Sequence, residues 1–285
     1  MMKTPAILVG KGCRLELRLP AIMGVLNVTP DSFSDGGCFQ APDAAVQQAL
    51  RMEQAGATLI DIGGESTRPG AELISAAEEI ARVVPVIERI RQETDLPLSI
   101  DTNKAEVARA AILAGANFIN DISGLTFDPQ MARTAAETGA GLVVMHTRGT
   151  PAQMQNNTEY ADLCGEVLAF LQHSLDLAAA VGIDKSRIAV DPGIGFGKSV
   201  IGNLELLGSL QRLRALGCPI LLGTSRKSFI GKILDQQNPR ERLSGTLATI
   251  ALGVAQGAHI FRVHDVAPAR EAALVAWAVR ERELP

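Results

Sequence analysis

Between Ala21 and Gly37 the chain reads AIMGVLNVTPDSFSDGG. Ala21–Asn27 is a short apolar run ending on an amide, the pattern of a buried strand. The residues just after that run decide the fold. An open doubly wound sheet with a dinucleotide site would place a GxGxxG turn directly after such a first strand. Here the strand runs instead into a polar loop, Thr29 to Gln40, punctuated by Pro30, Gly36 and Gly37. The only glycine-rich run that resembles the fingerprint, Gly193-Ile194-Gly195-Phe196-Gly197, lies late in the chain with the wrong spacing.

Outward from Ala21, short apolar runs alternate with segments of helical period up to the C-terminus. The strand candidates are Ala21–Asn27, Thr58–Ile62, Leu98–Asp101, Phe118–Asn120, Gly141–Met145, Ile188–Val190, Ile220–Gly223 and His259–Arg262. Amphipathic stretches come after them, as in Ala44–Ala55 with Val46, Ala49, Leu50 and Met52, and in Ile80–Ile90 with Val83, Val84 and Ile87. Eight βα units in about 250 residues match the size of a closed parallel barrel. No Pro/Ser linker or shift of composition divides the chain. A single α/β domain, a (β/α)8 TIM barrel over residues 1–285 with a short N-terminal extension, is therefore expected.

Of 285 residues, 47% are hydrophobic and 20% charged, and Lys+Arg 27 against Asp+Glu 31 leaves a net charge of −4. That balance argues against a nucleic-acid or anionic-membrane partner. Cys13, Cys38, Cys164 and Cys218 are widely spaced and form no CxxC pair, so reduced thiols are expected. The opening MMKTPAILVGKGCRLELRLP lacks a long apolar core before a small-residue cleavage site, which points to the cytoplasm. The apolar window Leu243–Phe261 is interrupted by Ser244, Thr246, Thr249, Gln256 and His259, as suits a buried helix leading into a strand.

In a parallel barrel the strand C-termini and the loops after them form the active face. Asn27, Asp61, Asp101, Asn120, Asp121, His146, Asp191, Ser225 to Lys227, Arg262 and His264 all fall there. Capping alone can explain any one of them, since Asp, Asn and Ser favour strand-to-helix turns. Capping does not explain why Asp101, Asn120 and Asp191 each end an apolar run. A buried carboxylate needs a partner, and a ligand with adjacent N–H donors and acceptors, such as a 2-amino-4-oxopyrimidine edge, supplies one. Lys227, Arg262 and His264, with Thr67 and Arg68, suggest a phosphate site. Asn27 offers an oxygen suited to a hard cation such as Mg2+. His146 has no adjacent nucleophile or carboxylate and reads as structural. The loops Thr29–Gln40 and Gly63–Ala71 are candidate lids.

Seven segments carry a family resemblance: IMGVLNVTPDSFSDGG from Ile22, DIGGESTRPGA from Asp61, SIDT from Ser99, NDISG from Asn120, VDPGIGFGK from Val190, GTSRKSFIG from Gly223 and RVHDV from Arg262. In these the chain resembles dihydropteroate synthases over nearly its whole length, departing from the family pattern only at Thr147 and Asn103. The resemblance implies a TIM-barrel transferase of folate biosynthesis, inhibited by sulfonamides, that joins 6-hydroxymethyl-7,8-dihydropterin pyrophosphate to p-aminobenzoate with Mg2+. It implies that Asp101, Asn120, Asp191 and Lys227 hold the pterin, with Met145 and Phe196 near the ring. Asn27 would serve the metal, and Thr67, Arg262 and His264 the pyrophosphate. Ser228, Thr67, Arg68 and Pro69 would surround p-aminobenzoate, and Phe33 and Asp35 belong to the first loop. The groups implied for the chemistry are Asp101, Lys227, Arg262, His264 and Asp35. The expected partners are these small molecules, and a homodimer is compatible with the chain. A pterin-dependent methyltransferase barrel would share the Asp/Asn contacts but not need ESTRPG, SRKSFIG or RVHD; a non-catalytic pterin binder would not need Asn27, Lys227, Arg262 and His264.

Overall fold

The computed structural model describes residues 5–28, 41–65, 73–149, 154 and 157–285. Two strands, β1 (Ala6–Gly10) and β2 (Cys13–Leu17), form an antiparallel hairpin. Eight more make up the main sheet: β3 (Ala21–Asn27), β4 (Leu59–Gly63), β5 (Leu98–Asp101), β6 (Phe118–Asp121), β7 (Gly141–Met145), β8 (Ile188–Asp191), β9 (Leu221–Leu222) and β10 (Ile260–Val263). Their order, β8-β7-β6-β5-β4-β3-β10-β9, is parallel throughout. A bridge between Val190 and Ile220, with Val190 N donating to Pro219 O at 2.9 Å, brings β8 against the start of β9 and closes the ring.

Helices α1 (Ala41–Gln54), α2 (Ala76–Glu93), α3 (Ala105–Ala114), α4 (Met131–Thr138), α5 (Leu163–Ala180), α6 (Val200–Gly208), α7 (Ser228–Leu234), α8 (Leu243–Gln256) and α9 (Val266–Glu281) surround it. The expected barrel is present, and its strands match the sequence expectation to within a residue or two at each end. The window Leu243–Phe261 resolves into α8 and then β10, and no described helix is long and apolar enough to cross a membrane. Cys13, Cys164 and Cys218 are free thiols; Cys38 lies outside the described residues.

Side-chain alternation along each strand produces two cores. Outward residues such as Ile22, Ile60, Ile62, Ile100, Ile119, Val144 and Val190 pack under the helices. Inward residues Met23, Leu59, Phe118, Val143, Ala189, Leu221 and Ile260 fill the lower lumen. The N-terminal extension is not a plain tail. Its hairpin sets Leu8 and Leu17 into the same cluster and plugs the barrel's lower end. Lys11 N donates to Asn117 O (3.1 Å) and Asn117 Nδ2 to Lys11 O (2.8 Å), fixing the hairpin's turn beside β6.

Candidate active site

The same two-residue period carries the lumen from apolar to polar. On β10 the inward positions run Ile260, Arg262 and on to His264; on β4, Leu59 and Asp61; on β6, Phe118 and Asn120; on β8, Ala189 and Asp191. Strand register then brings the polar ends level, with Gly63 paired to Asp101, Asp101 to Asn120 and Met145 to Asp191.

Arg262 joins the acids. Its Nε donates to Asp61 Oδ2 and its Nη2 to Asp101 Oδ2, both at 2.6 Å. Asn120 Nδ2 donates to the same Asp61 oxygen at 3.0 Å. The other oxygens, Asp61 Oδ1 and Asp101 Oδ1, are buried without a hydrogen-bond partner among the described residues. Burial pushes the Asp101 carboxyl up to about 7; Arg262 pulls it down and the charge of Asp61 pushes it up again. A carboxylate pair left this short of donors is a site built to receive them from a ligand.

Asp191 faces the cluster from β8. Its Oδ1 accepts the Gly193 N–H at 2.7 Å. Burial raises its pKa, against the pull of that N–H and of Lys227, Lys198 and Arg262. Lys227 Nζ donates to Ile194 O (2.7 Å) and stands 4.0 Å from the centre of the Phe196 ring, a cation–π contact. Burial lowers the Lys227 pKa to about 8, in part opposed by Asp191. Met145, at the end of β7, is buried beside them.

The loop after β9 is set by two arginines. Arg226, at φ +59°, makes a bidentate pair with Asp265 (2.9 and 2.6 Å), and Arg242 Nη1 donates to Arg226 O at 2.9 Å. This fixes Lys227 just before α7 and leaves Ser228 as its exposed first residue, beside a cavity of about 260 Å3 also lined by Gly195 and Phe229. Ser225 Oγ accepts the His264 backbone N–H (3.2 Å) and lies 2.9 Å from His264 Nδ1, within hydrogen-bond distance of the ring. Asn27 ends β3 across from Gly63. A Cβ built on Gly63 would lie 3.7 Å from Asn27 Oδ1 and 3.9 Å from Asp101 Oδ2, so the amide oxygen and the carboxylate flank one small space.

Asp101, Asn120, Met145, Asp191, Phe196, Lys227 and Arg262 thus converge at the upper mouth, with Asn27, Ser228 and His264 at its rim. Phe33, Asp35, Thr67, Arg68 and Pro69 lie outside the described residues. Sequence reasoning places Asp61 at a strand end but gives it no role, although it is the acceptor shared by Asn120 and Arg262. Its signal is the inward parity it shares with Leu59. Lys198 goes unmarked in the sequence because nothing in GFGK shows its side chain to be buried.

Comparison with known proteins is consistent with this geometry. The sequence profile of the family described as "Pterin binding enzyme" matches residues 23–264. A dihydropteroate synthase of Synechocystis is 54% identical over 245 residues, covering 86% of this chain and 85% of its own. The Xanthomonas albilineans dihydropteroate synthase with 4-aminobenzoic acid superposes with a TM-score of 0.91 at 45% identity, covering 99% of this chain and 100% of that one. The same enzyme in complex with 7,8-dihydropteroate gives 0.88 at 43% identity, covering 98% and 100%.

Proposed function

The chain belongs to the dihydropteroate synthase family of pterin-binding enzymes, and we propose that the polar mouth of its barrel is where the family's two substrates meet. It is a transferase of folate biosynthesis: it joins 6-hydroxymethyl-7,8-dihydropterin pyrophosphate to p-aminobenzoate, giving 7,8-dihydropteroate and pyrophosphate. The reading as a methyltransferase or a non-catalytic binder is not favoured. The further proposals are that residues 1–285 act as one domain, in the cytoplasm, on these small molecules without nucleic acid or membrane, and that a homodimer is compatible with the fold.

The observation that carries the site assignment is the pair of buried, partnerless oxygens Asp61 Oδ1 and Asp101 Oδ1, unpaired among the described residues, beside Asn120 and Asp191. A pterin presents an amino group and ring N–H donors next to a carbonyl, the complement of this acceptor-rich set. Asp101, Asn120, Asp191 and Lys227 hold it, and Met145 and Phe196 pack near the ring. Arg262 acts first as counter-ion to Asp61 and Asp101. Its Nη1, which makes no hydrogen bond among the described residues, is left for the pyrophosphate together with His264. From the family resemblance alone, Ser228, Thr67, Arg68 and Pro69 are assigned to p-aminobenzoate, and Phe33 and Asp35 to the first loop.

Mg2+ fits the donors present. Among the described residues no group of three His, Cys, Asp or Glu is placed to hold a metal, and Asn27 offers one neutral oxygen, which suits an ion that keeps most of its waters and binds substrate phosphate. Bound there, it would neutralise charge on the leaving pyrophosphate. The reaction is a dissociative substitution. The methylene C–O bond breaks, its electron pair leaving with pyrophosphate, while Arg262 and His264 stabilise the departing charge. The p-aminobenzoate nitrogen then forms the C–N bond and releases a proton. Positioning and exclusion of water do more here than a strong base.

Incubating the protein with pterin pyrophosphate, p-aminobenzoate and Mg2+ should yield dihydropteroate, with none formed when either substrate is omitted and competition by a sulfonamide against p-aminobenzoate. A folded protein that forms no product would overturn this reading.

A further inference from the structure

Lys198 lies in the loop after β8, is 4% exposed, and has no part in the chemistry above. Its Nζ donates to Gly193 O (2.9 Å) and Phe196 O (2.8 Å) and sits 2.9 Å from His146 Nδ1. An ammonium has three N–H donors, and these acceptors use them all. Burial lowers the Lys198 pKa to about 7, and the charge of Asp191 works against that fall. His146 is suited to the third place. Burial and the Lys198 charge hold its pKa down at about 3, so the ring is neutral, and the ammonium 2.9 Å away, which can only donate, makes Nδ1 the acceptor. Phe170 meets the ring edge-on at 4.9 Å and fixes its plane.

This ammonium ties down the turn that aims the pterin groups. Gly193 N–H holds Asp191 Oδ1, Ile194 O takes Lys227 Nζ, and Phe196 stacks against the same lysine. The turn also lies hard against the end of β7. A Cβ on Gly193, which sits at φ +69°, would come within 1.9 Å of His146 O, so the turn's path there requires glycine. His146 N donates to Asp191 O at 3.0 Å, so backbone and side chain of His146 secure both ends of the same stretch.

We propose that Lys198 is a positioning residue for pterin recognition: it draws the Gly193 and Phe196 carbonyls and the His146 ring onto one charge, and so holds the turn that orients Asp191 and Phe196. This rests on assigning the pterin to Asp191 and Phe196. Its consequence is selective, because the pyrophosphate groups on β10 do not depend on that turn.

The test uses Lys198→Met, which keeps the apolar stem, His146→Asn, which keeps an acceptor, and His146→Leu, which does not. Calorimetry at pH 6, where the lysine is charged, would measure affinity for 6-hydroxymethylpterin and, separately, for inorganic pyrophosphate with Mg2+. Loss of the charged centre in Lys198→Met, or of its ring acceptor in His146→Leu, should weaken pterin binding by about tenfold or more, leaving pyrophosphate within about twofold and His146→Asn close to the wild type. In turnover the loss should fall on KM for the pterin substrate more than on kcat. Wild-type pterin affinity in folded Lys198→Met, or equal losses for both ligands, would overturn the inference. If the wild-type protein itself bound no pterin, the site assignment would fall instead. Hydrogen exchange at the Gly195 and Phe196 amides of the ligand-free protein then decides the positioning role alone: faster exchange in Lys198→Met is expected, and unchanged protection refutes it. Should Lys198→Met fail to fold, the two His146 variants carry the same comparison.

Discussion

The two halves of one barrel lumen are built from the same strands and satisfied in opposite ways. Below, Met23, Leu59, Phe118, Val143, Ala189, Leu221 and Ile260 pack on one another and on Leu8 and Leu17 of the hairpin. Apolar packing there is complete without a ligand. Above, Asp61, Asp101, Asn120, Asp191, Lys227 and Arg262 share too few partners, and two carboxylate oxygens are buried without any among the described residues. Burying such charges costs stability unless each is paired and hydrogen-bonded. The lower half is therefore a source of stability, and the upper half carries the cost of recognition.

If that division holds, substitutions in the two halves should separate folding from binding. The largest effect is expected below. Phe118 is fully buried in the lower lumen, and Phe118→Ala should cost about 4 kcal/mol in urea unfolding, the usual penalty for emptying a large core site. The folded fraction should keep its pterin affinity, and a stability loss under about 1 kcal/mol would show that the lower half is not a tight core.

Above, the pattern should invert. Asp191→Asn removes a carboxylate that burial already disfavours, so unfolding should shift by less than about 1 kcal/mol. Pterin binding should weaken by about 1.5–3 kcal/mol, the range for a hydrogen bond to a charged group. Calorimetry on the folded variant checks this, and intact pterin affinity would remove Asp191 from the site.

A third effect sharpens the comparison by pH. His259 lies at the lower rim, where its Nδ1 accepts the Ile220 N–H at 3.1 Å. Burial, helped by Arg280 and Arg214, pulls its pKa down to about 4. The folded state thus favours the neutral ring, and this contribution is fully present above the unfolded pKa of about 6.5 and is lost as pH falls toward 4. Between pH 7 and 5 the wild type should lose about 2 kcal/mol more stability than His259→Asn, which keeps an acceptor without titrating. Parallel pH–stability curves for the two proteins would refute it.

Much of this organisation is legible in the sequence. Asp101, Asn120 and Asp191 each close a short apolar run, which places them at strand ends, and the alternation along β3 to β10 announces the barrel. The hairpin is harder to see, because AILVG and CRLEL are short and sit before the regular βα repeat. Asp61 is visible as a polar strand end, but its task is not. Arg262 reads from sequence as a phosphate ligand; the structure adds that it is already engaged by two carboxylates.

By itself the sequence determined what depends on neighbours along the chain: strand period, loop chemistry, the glycine-rich turn after β8, and which residue types stand at each strand's end. The tertiary structure alone decided which of those ends share a charge. Arg262 is 201 residues from Asp61 and 161 from Asp101, and Lys198 is 52 from His146. Strand alternation repeats every two residues and is fixed by local backbone geometry, whereas an ion pair or a three-acceptor lysine site exists only after ring closure has brought distant strands level and excluded the water that would otherwise satisfy those groups.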